Sequence, residues 1–186
     1  MDYNLPTIKR VITGHDTQAQ STPIFIDEAV MKPIIPGSDT QIGRIWTTKQ
    51  TPANNDDQKT DFKEVIPERF GLVQPNGSQM CIVDTPPGGR SPIHRTSSLD
   101  YVILISGSLT LLLDTDGHSS SPEVGTTLSI PGSIVVQRGT QHAWENRSTT
   151  EWSRHIAVMI DAKEVEIEVE KDGQKHAEVL KEGFQH

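Results

Sequence analysis

Two histidines and an aspartate are the residues best suited to chemistry in this sequence. His94 and Asp100 lie in the stretch IHRTSSLD, and His142 follows about 40 residues later. On an extended backbone His94, Thr96 and Asp100 would point to one face, because side chains alternate with a period of two. Two imidazoles and a carboxylate that converge can bind a divalent transition metal and leave positions open for a substrate. His94, Asp100 and His142 are therefore the candidate metal ligands and the candidate catalytic residues.

A second set of side chains lies where it would contact a substrate. Arg90 and Arg95 flank the first histidine, and a guanidinium matches a carboxylate with two parallel hydrogen bonds. The other candidate substrate contacts are Thr96, Gln137, Trp144 and Trp46. His155, on a late strand, is a candidate for a further nitrogen ligand to the metal. Tyr101 has the opposite parity to Asp100, so we expect it outside the fold.

Composition excludes several classes of function. The chain has 186 residues and a formal net charge of −8, and its 17 Lys and Arg residues are scattered, which is atypical of a nucleic-acid-binding face. No apolar stretch approaches the ~20 residues of a membrane span. The single cysteine, Cys81, allows no internal disulfide, and the first residues lack a signal-peptide core. We therefore expect a cytoplasmic protein with a small-molecule substrate and neither a nucleic-acid nor a membrane partner.

The elements that must position these residues are short strands. Runs rich in Val, Ile, Thr and Leu are separated by Gly, Pro, Asn and Asp, a pattern typical of an all-β sandwich or barrel. We expect N-terminal strands and a loop over residues 1–70, a barrel over 71–170 and a tail over 171–186, with a short helix near His176–Gly183. Residues 48–67 are polar and unusually long for a connection, which predicts a functional or mobile loop, such as a lid.

The segment Leu99–Leu113 is apolar on both faces of its strands. A sheet with one face in water would alternate more clearly between apolar and polar residues. Either the N-terminal strands or a second subunit should cover the outer face, so we expect a homodimer.

These patterns resemble the two sequence motifs of the cupin superfamily. Gly88, His94, Asp100 and Gly107 match the first motif, while Gly139, His142 and Asn146 match the second. The stretches SPIHRTSSLDYVILISGSLTLLLD and VVQRGTQHAWEN also resemble small stand-alone cupins of fungal secondary-metabolite pathways, and IKRVITGHD and GRIWTT extend that resemblance over most of the chain. The resemblance implies a single-domain cupin barrel that acts on a polyketide- or aromatic-acid-derived metabolite.

Two positions of the first motif depart from the cupin pattern. Thr96 stands where the first motif has its second histidine, and Asp100 stands where it has glutamate. Threonine is a poor ligand for these metals, and aspartate reaches less far than glutamate. At most His94, Asp100 and His142 then remain as ligands, and the expected cofactor is Zn, Fe, Mn or Ni, or no metal.

Three hypotheses for function follow. The first is a metal-dependent lyase or isomerase that decarboxylates or dehydrates a small organic acid, with the metal as Lewis acid and Asp100 or a histidine moving the proton. The second is a non-haem Fe(II) dioxygenase, which two histidines and a carboxylate allow. The third is a metal-free cyclase or a small-molecule-binding module. A sugar-sensing regulator is disfavoured because the sequence contains no helix-turn-helix segment.

Overall fold

The computed structural model describes residues 3–67, 71–114 and 124–184. These residues form strands and one short 3-10 turn, Phe62–Glu64, and contain no α-helix, so no helix within them is fit to cross a membrane. The strands are β1 (Lys9–His15), β2 (Ser21–Glu28), β3 (Lys32–Pro33), β4 (Gln41–Thr48), β5 (Ser78–Thr85), β6 (His94–Arg95), β7 (Ser98–Ser106), β8 (Leu109–Leu113), β9 (Val124–Leu128), β10 (Ile134–Arg138), β11 (His142–Glu145), β12 (Ser153–Asp161), β13 (Val165–Lys171), β14 (Gln174–Leu180) and β15 (Gly183–Phe184).

Two antiparallel sheets enclose the interior. One has the strand order β10-β7-β12-β5-β4-β3, and the other has the order β15-β6-β11-β8-β9. Two separate hairpins, β1–β2 and β13–β14, complete the fold. The predicted all-β architecture is confirmed. Because β4 pairs with β5, the N-terminal region contributes to the larger sheet, while the expected boundary at residue 70 lies outside the described residues.

The core lies between the two sheets. In β7 the side chains of Val102 and Leu104 alternate with outward-facing ones and are buried, as the period of two in a strand requires. They pack with Leu109 of β8 and Trp144 of β11, which belong to the opposite sheet. Burial of each large apolar side chain contributes about 1.5–3 kcal/mol. This packing therefore joins the two sheets.

The outer face of the larger sheet is apolar and open in the single chain. Tyr101 is 39% exposed on β7, and its cross-strand partner Val136 is 53% exposed on β10. Ile103 and Ile134 form the next pair on the same face. The position of Tyr101 outside the barrel agrees with its parity. The homodimer that would cover this face stays a prediction.

The predicted helix at His176–Gly183 is wrong. Residues of this segment belong to β14, which forms a hairpin with β13. Asp172 and Gly173 connect the two strands with φ values of 55° and 74°, the left-handed conformation that a tight two-residue hairpin turn needs. Charged pairs across the strands, such as Lys175 Nζ with Glu168 Oε1 at 2.6 Å, line up in this register. The strong local turn therefore overrides the weak helical pattern.

The long loop at 48–67 packs on the N-terminal hairpin. Arg10 of β1 donates to Asp61 of the loop at 2.8 Å and to Asp27 of β2 at 2.8 Å. Lys63 adds a further ion pair with Asp27. These buried and half-buried ion pairs fix the loop against β1 and β2 rather than over the space between the sheets.

Asn146 joins three pieces of backbone beyond the end of β11. Its fully buried Nδ2 donates to the carbonyl oxygens of Thr85 and Pro86, each at 3.1 Å, and of Glu151 at 2.8 Å. Its Oδ1 accepts from the Ser148 amide at 3.1 Å. One side chain therefore connects the end of β5 to the turn that precedes β12.

Replacing Asn146 by alanine should destabilise the fold by about 2–4 kcal/mol, because buried carbonyl groups lose their donor. Urea unfolding at neutral pH measures this change. Asn55→Ala, at an exposed position of the long loop, is the matched control and should change stability by less than about 0.5 kcal/mol. Equal effects of the two substitutions would contradict the bridging role of Asn146.

Candidate active site in the barrel cavity

A cavity of about 510 Å³ lies between the two sheets. This volume is in the range of pockets that bind small molecules. Six of the residues singled out in the sequence line it: Arg90, His94, Thr96, Asp100, His142 and Trp144. His155 lines it as well, and most other lining side chains, such as Ile42, Leu72, Val83 and Met159, are apolar. The cavity is thus a largely apolar chamber with a few polar groups.

The two motif histidines lie side by side. His94 of β6 is directly opposite His142 of β11 in the strand register, and their ring centroids are 4.2 Å apart. His94 Nδ1 lies 2.9 Å from the Pro92 carbonyl oxygen, and His142 Nδ1 lies 3.0 Å from that of Thr140. Since a carbonyl oxygen only accepts, each Nδ1 carries the proton in this network. Each Nε2 therefore keeps a lone pair to accept a hydrogen bond or to bind a metal.

Burial keeps these histidines neutral. Desolvation lowers the pKa of His142 to about 3, and the neighbouring His94 adds to this because two positive rings would repel each other. Desolvation also lowers the pKa of His94. His155, buried on β12 beside Trp144, has its pKa lowered by desolvation to about 4. All three imidazoles are uncharged near neutral pH and act as acceptors or neutral donors.

Asp100 reaches the cavity from the opposite sheet. Its side chain is on the inner face of β7, 5% exposed, and its Oδ2 accepts a hydrogen bond from Gln137 Nε2 at 2.9 Å. Gln137 lies directly across from it on β10. Asp100 Oδ1 is buried without a hydrogen-bond partner in the described part of the chain. Desolvation raises the pKa of Asp100 to about 6, although the neighbouring Ser98 hydroxyl and the hydrogen bond from Gln137 oppose this rise.

His94 and Asp100 line the same cavity, but the extended backbone expected to place them on one face is interrupted between them. His94 lies in β6 of the five-stranded sheet, whereas Asp100 lies in β7 of the six-stranded sheet. Between these two strands the chain passes from one sheet to the other, so equal parity does not place the side chains on one face. Thr96, in this crossing segment, is buried in the cavity wall and accepts a hydrogen bond from Ser98 Oγ at 2.8 Å.

The predicted metal has two well-placed donors but not a complete set. The Nε2 atoms of His94 and His142 suit a transition metal, and the Nδ1–carbonyl bonds are the outer contacts that orient such ligands. Among residues 3–67, 71–114 and 124–184, however, no three His, Cys, Asp or Glu side chains are grouped to hold a metal ion. Asp100 is held by Gln137 in the other sheet. A metal bound by His94, Asp100 and His142 therefore stays a prediction.

Three other predicted substrate contacts do not line the cavity. Gln137 contacts Asp100 instead, donating from Nε2 to its Oδ2. Arg95 is near the acidic side chains of Asp114 and Glu178, away from the chamber. Trp46 packs against Phe62 of the long loop, with ring centroids 5.1 Å apart.

A β-bulge explains the position of Trp46. Arg44 pairs with Cys81, whose side chain is in the core, whereas Trp46 pairs with Met80. The register shift between them inserts one residue, so two residues of equal parity point to opposite faces. Arg44 therefore lines the cavity while Trp46 lies on the outside. The sequence does not predict Arg44 as a cavity residue, because the bulge cannot be recognised from the alternation of apolar and polar residues.

Two further parts of the wall were also missed. The segment 34–38, between β3 and β4, contributes Ile34 and Ile35 to the lining. Phe184 of β15 stacks on His94, with ring centroids 5.6 Å apart. β15 pairs with β6 because the chain comes back to the smaller sheet after the β13–β14 hairpin. No local pattern in the sequence predicts this pairing.

Comparison with known proteins finds relatives that align with most of the chain. No protein-family model matches the chain. Phomopsin biosynthesis cluster protein D of Diaporthe leptostromiformis is 35% identical over 166 residues, covering 88% of this chain and 84% of the relative. The cupin-domain-containing oxidoreductases fogC of Aspergillus ruber and virC of Hypocrea virens are 30% and 32% identical. Their alignments cover 90% and 85% of this chain and 79% and 78% of those relatives.

Solved structures include a similar barrel in the polyketide cyclase RemF of Streptomyces resistomycificus. It has a TM-score of 0.45 and 15% sequence identity, and the match covers 70% of this chain and 72% of that one.

An all-β chamber with histidines from both motifs in its wall defines the class of protein as a cupin. Together with the curated relatives, it establishes that this chain belongs to the cupin family. Its relatives within the family are fungal proteins, several named for biosynthesis clusters and several named oxidoreductases. The resemblance found in the sequence is confirmed.

The raised pKa of Asp100 predicts a pH-dependent effect of Asp100→Asn on stability. An unfolded aspartate loses its proton near pH 3.9, whereas the folded carboxyl loses it near pH 6, so the folded state holds the extra proton between these values. The contribution of Asp100 to stability therefore falls as the pH rises through this window. Asparagine carries no such charge, so the variant should gain about 1–3 kcal/mol over wild type between pH 4 and pH 8.

Urea unfolding at the two pH values measures this gain. Asp56→Asn, at an exposed loop position, is the control and should show a change near zero. If Asp100→Asn differs from wild type by the same amount at pH 4 and pH 8, the carboxyl does not titrate as described.

Proposed function

We propose that this cupin is a biosynthetic enzyme that transfers a proton within a small metabolite held in the barrel cavity. The reaction class is that of a lyase or isomerase, such as a dehydration, a decarboxylation or a related rearrangement. The relatives named for biosynthesis clusters support a metabolite as substrate. The apolar lining supports a molecule with a largely apolar body, which would bind by displacing water from the chamber.

The observation that carries the proposal is the environment of Asp100. One carboxyl oxygen is fixed by Gln137, and the other is buried without a partner among the described residues, in the wall of the same cavity as two imidazoles. A buried oxygen without a partner costs free energy unless a ligand or a water binds it. Such a group is a candidate to exchange a proton with a bound substrate.

The electrostatics support this role. A general acid or base works best when its pKa lies near the working pH, and burial brings the pKa of Asp100 to about 6. Gln137 fixes the orientation of the carboxyl group by holding Oδ2. On the opposite wall, the Nε2 atoms of His94 and His142, whose pKa values are lowered by burial, would accept a hydrogen bond from a substrate hydroxyl or enol. The carboxyl group would then exchange the proton while the imidazoles orient the substrate from the other side.

Metal-dependent chemistry is the second candidate. The names of the relatives from Aspergillus ruber and Hypocrea virens, together with the free Nε2 atoms of His94 and His142, favour an oxidoreductase, including an Fe(II) dioxygenase. No third His, Cys, Asp or Glu among the described residues lies close enough to these histidines to complete a metal site. A third ligand would therefore have to come from a rearranged Asp100 or from outside the described residues. This candidate predicts tightly bound iron and consumption of O₂ that depends on the substrate.

A test of the first candidate needs the natural substrate. Disruption of the gene in its host should cause this metabolite to accumulate, and the purified protein should convert it. Asp100→Asn should lower kcat by about 10²–10⁴-fold, because the carboxyl can no longer exchange a proton. Asp56→Asn is the matched control, with the same change at an exposed position, and should keep wild-type kcat. Rates are measured by chromatography of the product.

Treatment with a chelator and metal analysis separate the two candidates. Full activity of metal-free protein, with no uptake of O₂, agrees with proton transfer by side chains. Activity that is lost with iron and restored by it would establish the oxidoreductase. Unchanged kcat in Asp100→Asn would overturn the role given to the carboxyl.

A further inference from the structure

Arg44 is a charged group in the cavity wall that the proposed proton transfer does not use. It lies on β4 opposite Cys81, on the inner face of the sheet, and its side chain is half-buried. Cys81 and Arg44 both line the cavity. The bulge that follows Arg44 therefore directs a guanidinium into a chamber whose walls are mostly apolar.

The hydrogen bonds of this guanidinium are incomplete. Nη2 donates to the Gly71 carbonyl oxygen at 3.2 Å, and this is its single hydrogen bond to the described residues. The Nε atom is buried and has no partner among them. No carboxylate in the described ranges is within ion-pair distance of Arg44. Since a guanidinium carries five donor hydrogens, most of its capacity is unused.

Two arginines of the same chain that are more deeply buried show the contrast. Arg154 forms a fork with Asp84, through Nε–Oδ1 at 2.7 Å and Nη2–Oδ2 at 2.6 Å. Arg10 forms the same fork with Asp27, at 2.8 and 2.7 Å. Each of these guanidinium groups is neutralised by a carboxylate of the protein. Arg44 is half-buried in the cavity wall and has no such partner among the described residues.

The formal charges of the lining lead to the same conclusion. Among the described residues that line the cavity, the charged types are Arg44, Arg90 and Asp100. Two guanidinium groups and one carboxyl give a positive excess, although the whole chain carries −8. A cavity with low-polarity walls concentrates the field of such an excess. It therefore favours the entry of an anion.

We propose that Arg44 binds an anionic group of the substrate, a carboxylate or the chemically similar oxygen anion of an acidic enol or phenol. The substrate would complete the guanidinium fork in the way that Asp84 completes that of Arg154. This assignment rests on the proposed function, and it narrows the substrate to metabolites that are acids. Arg44 is a residue that determines specificity and does not take part in the proton transfer.

Binding of two simple probes tests the assignment. Benzoate and benzamide have the same shape, but only benzoate carries a charge. At pH 7.5 wild-type protein should bind benzoate at least ~10-fold more tightly, since hydrogen bonds to charged groups are the stronger ones. Arg44→Gln should bring the ratio of the two Kd values close to one. Arg138→Gln, at an exposed position outside the cavity, should leave the ratio unchanged.

A ratio near one in wild type, or an undiminished ratio in Arg44→Gln, would overturn the assignment. If that variant does not fold, the ¹⁵Nε–Hε resonance of Arg44 in the wild-type protein gives the answer. Benzoate should shift this resonance and benzamide should not, while the resonance of Arg138 stays in place. The absence of any shift with benzoate would also overturn the assignment.

Asp100→Asn separates this proposal from the proposed function. The variant should keep the wild-type preference for benzoate, whatever its effect on turnover. Full turnover in Asp100→Asn, with the preference for benzoate intact, would remove the catalytic role of Asp100 and leave anion binding by Arg44 standing. Loss of the preference in Arg44→Gln, with kcat changed less than KM, would assign Arg44 to binding.

Discussion

The pairing of β6 with β11 is the constraint on which the site depends. It places His94 opposite His142, and β11 is fixed on its other edge by β8. A slip by one residue would turn His142 away from the cavity. The two-residue strand β6 cannot hold this register alone. The bonds from Ser91 N to the Trp144 carbonyl and from Trp144 N to Ser91 Oγ, both 2.9 Å, secure the preceding segment along β11.

Burial then decides the charge of each group in the cavity. The same loss of water that lowers the pKa values of His94 and His142 raises that of Asp100, because in each case the charged form is penalised. Near pH 6 the imidazoles are thus neutral, while the Asp100 carboxyl is about half-ionised. The guanidinium groups cannot lose their charge in this way. The chamber therefore combines neutral imidazoles and a titrating carboxyl with a fixed positive charge.

Sequence patterns predict the orientation of site residues correctly where the strands are regular. They predict it wrongly where a strand is interrupted or contains a bulge. Both motifs identified the cavity histidines, and alternation placed Tyr101 outside, because β7 is continuous. Alternation failed between His94 and Asp100, where the chain changes sheets, and at Trp46, where a bulge inserts a residue. These events depend on the pairing of distant strands, so a local pattern cannot contain them.

The separation of Arg44 from Asp100 limits the shape of a substrate that reaches both. β4 and β7 are separated by β5 and β12 in the larger sheet, so three strand spacings lie between the two residues. With about 4.8 Å for each spacing, the Cα rows are roughly 14 Å apart along the sheet, less the reach of the two side chains. A substrate that contacts both residues therefore extends across the chamber from the β4 side to the β7 side. Its anionic group would lie at Arg44 and its reactive centre at Asp100.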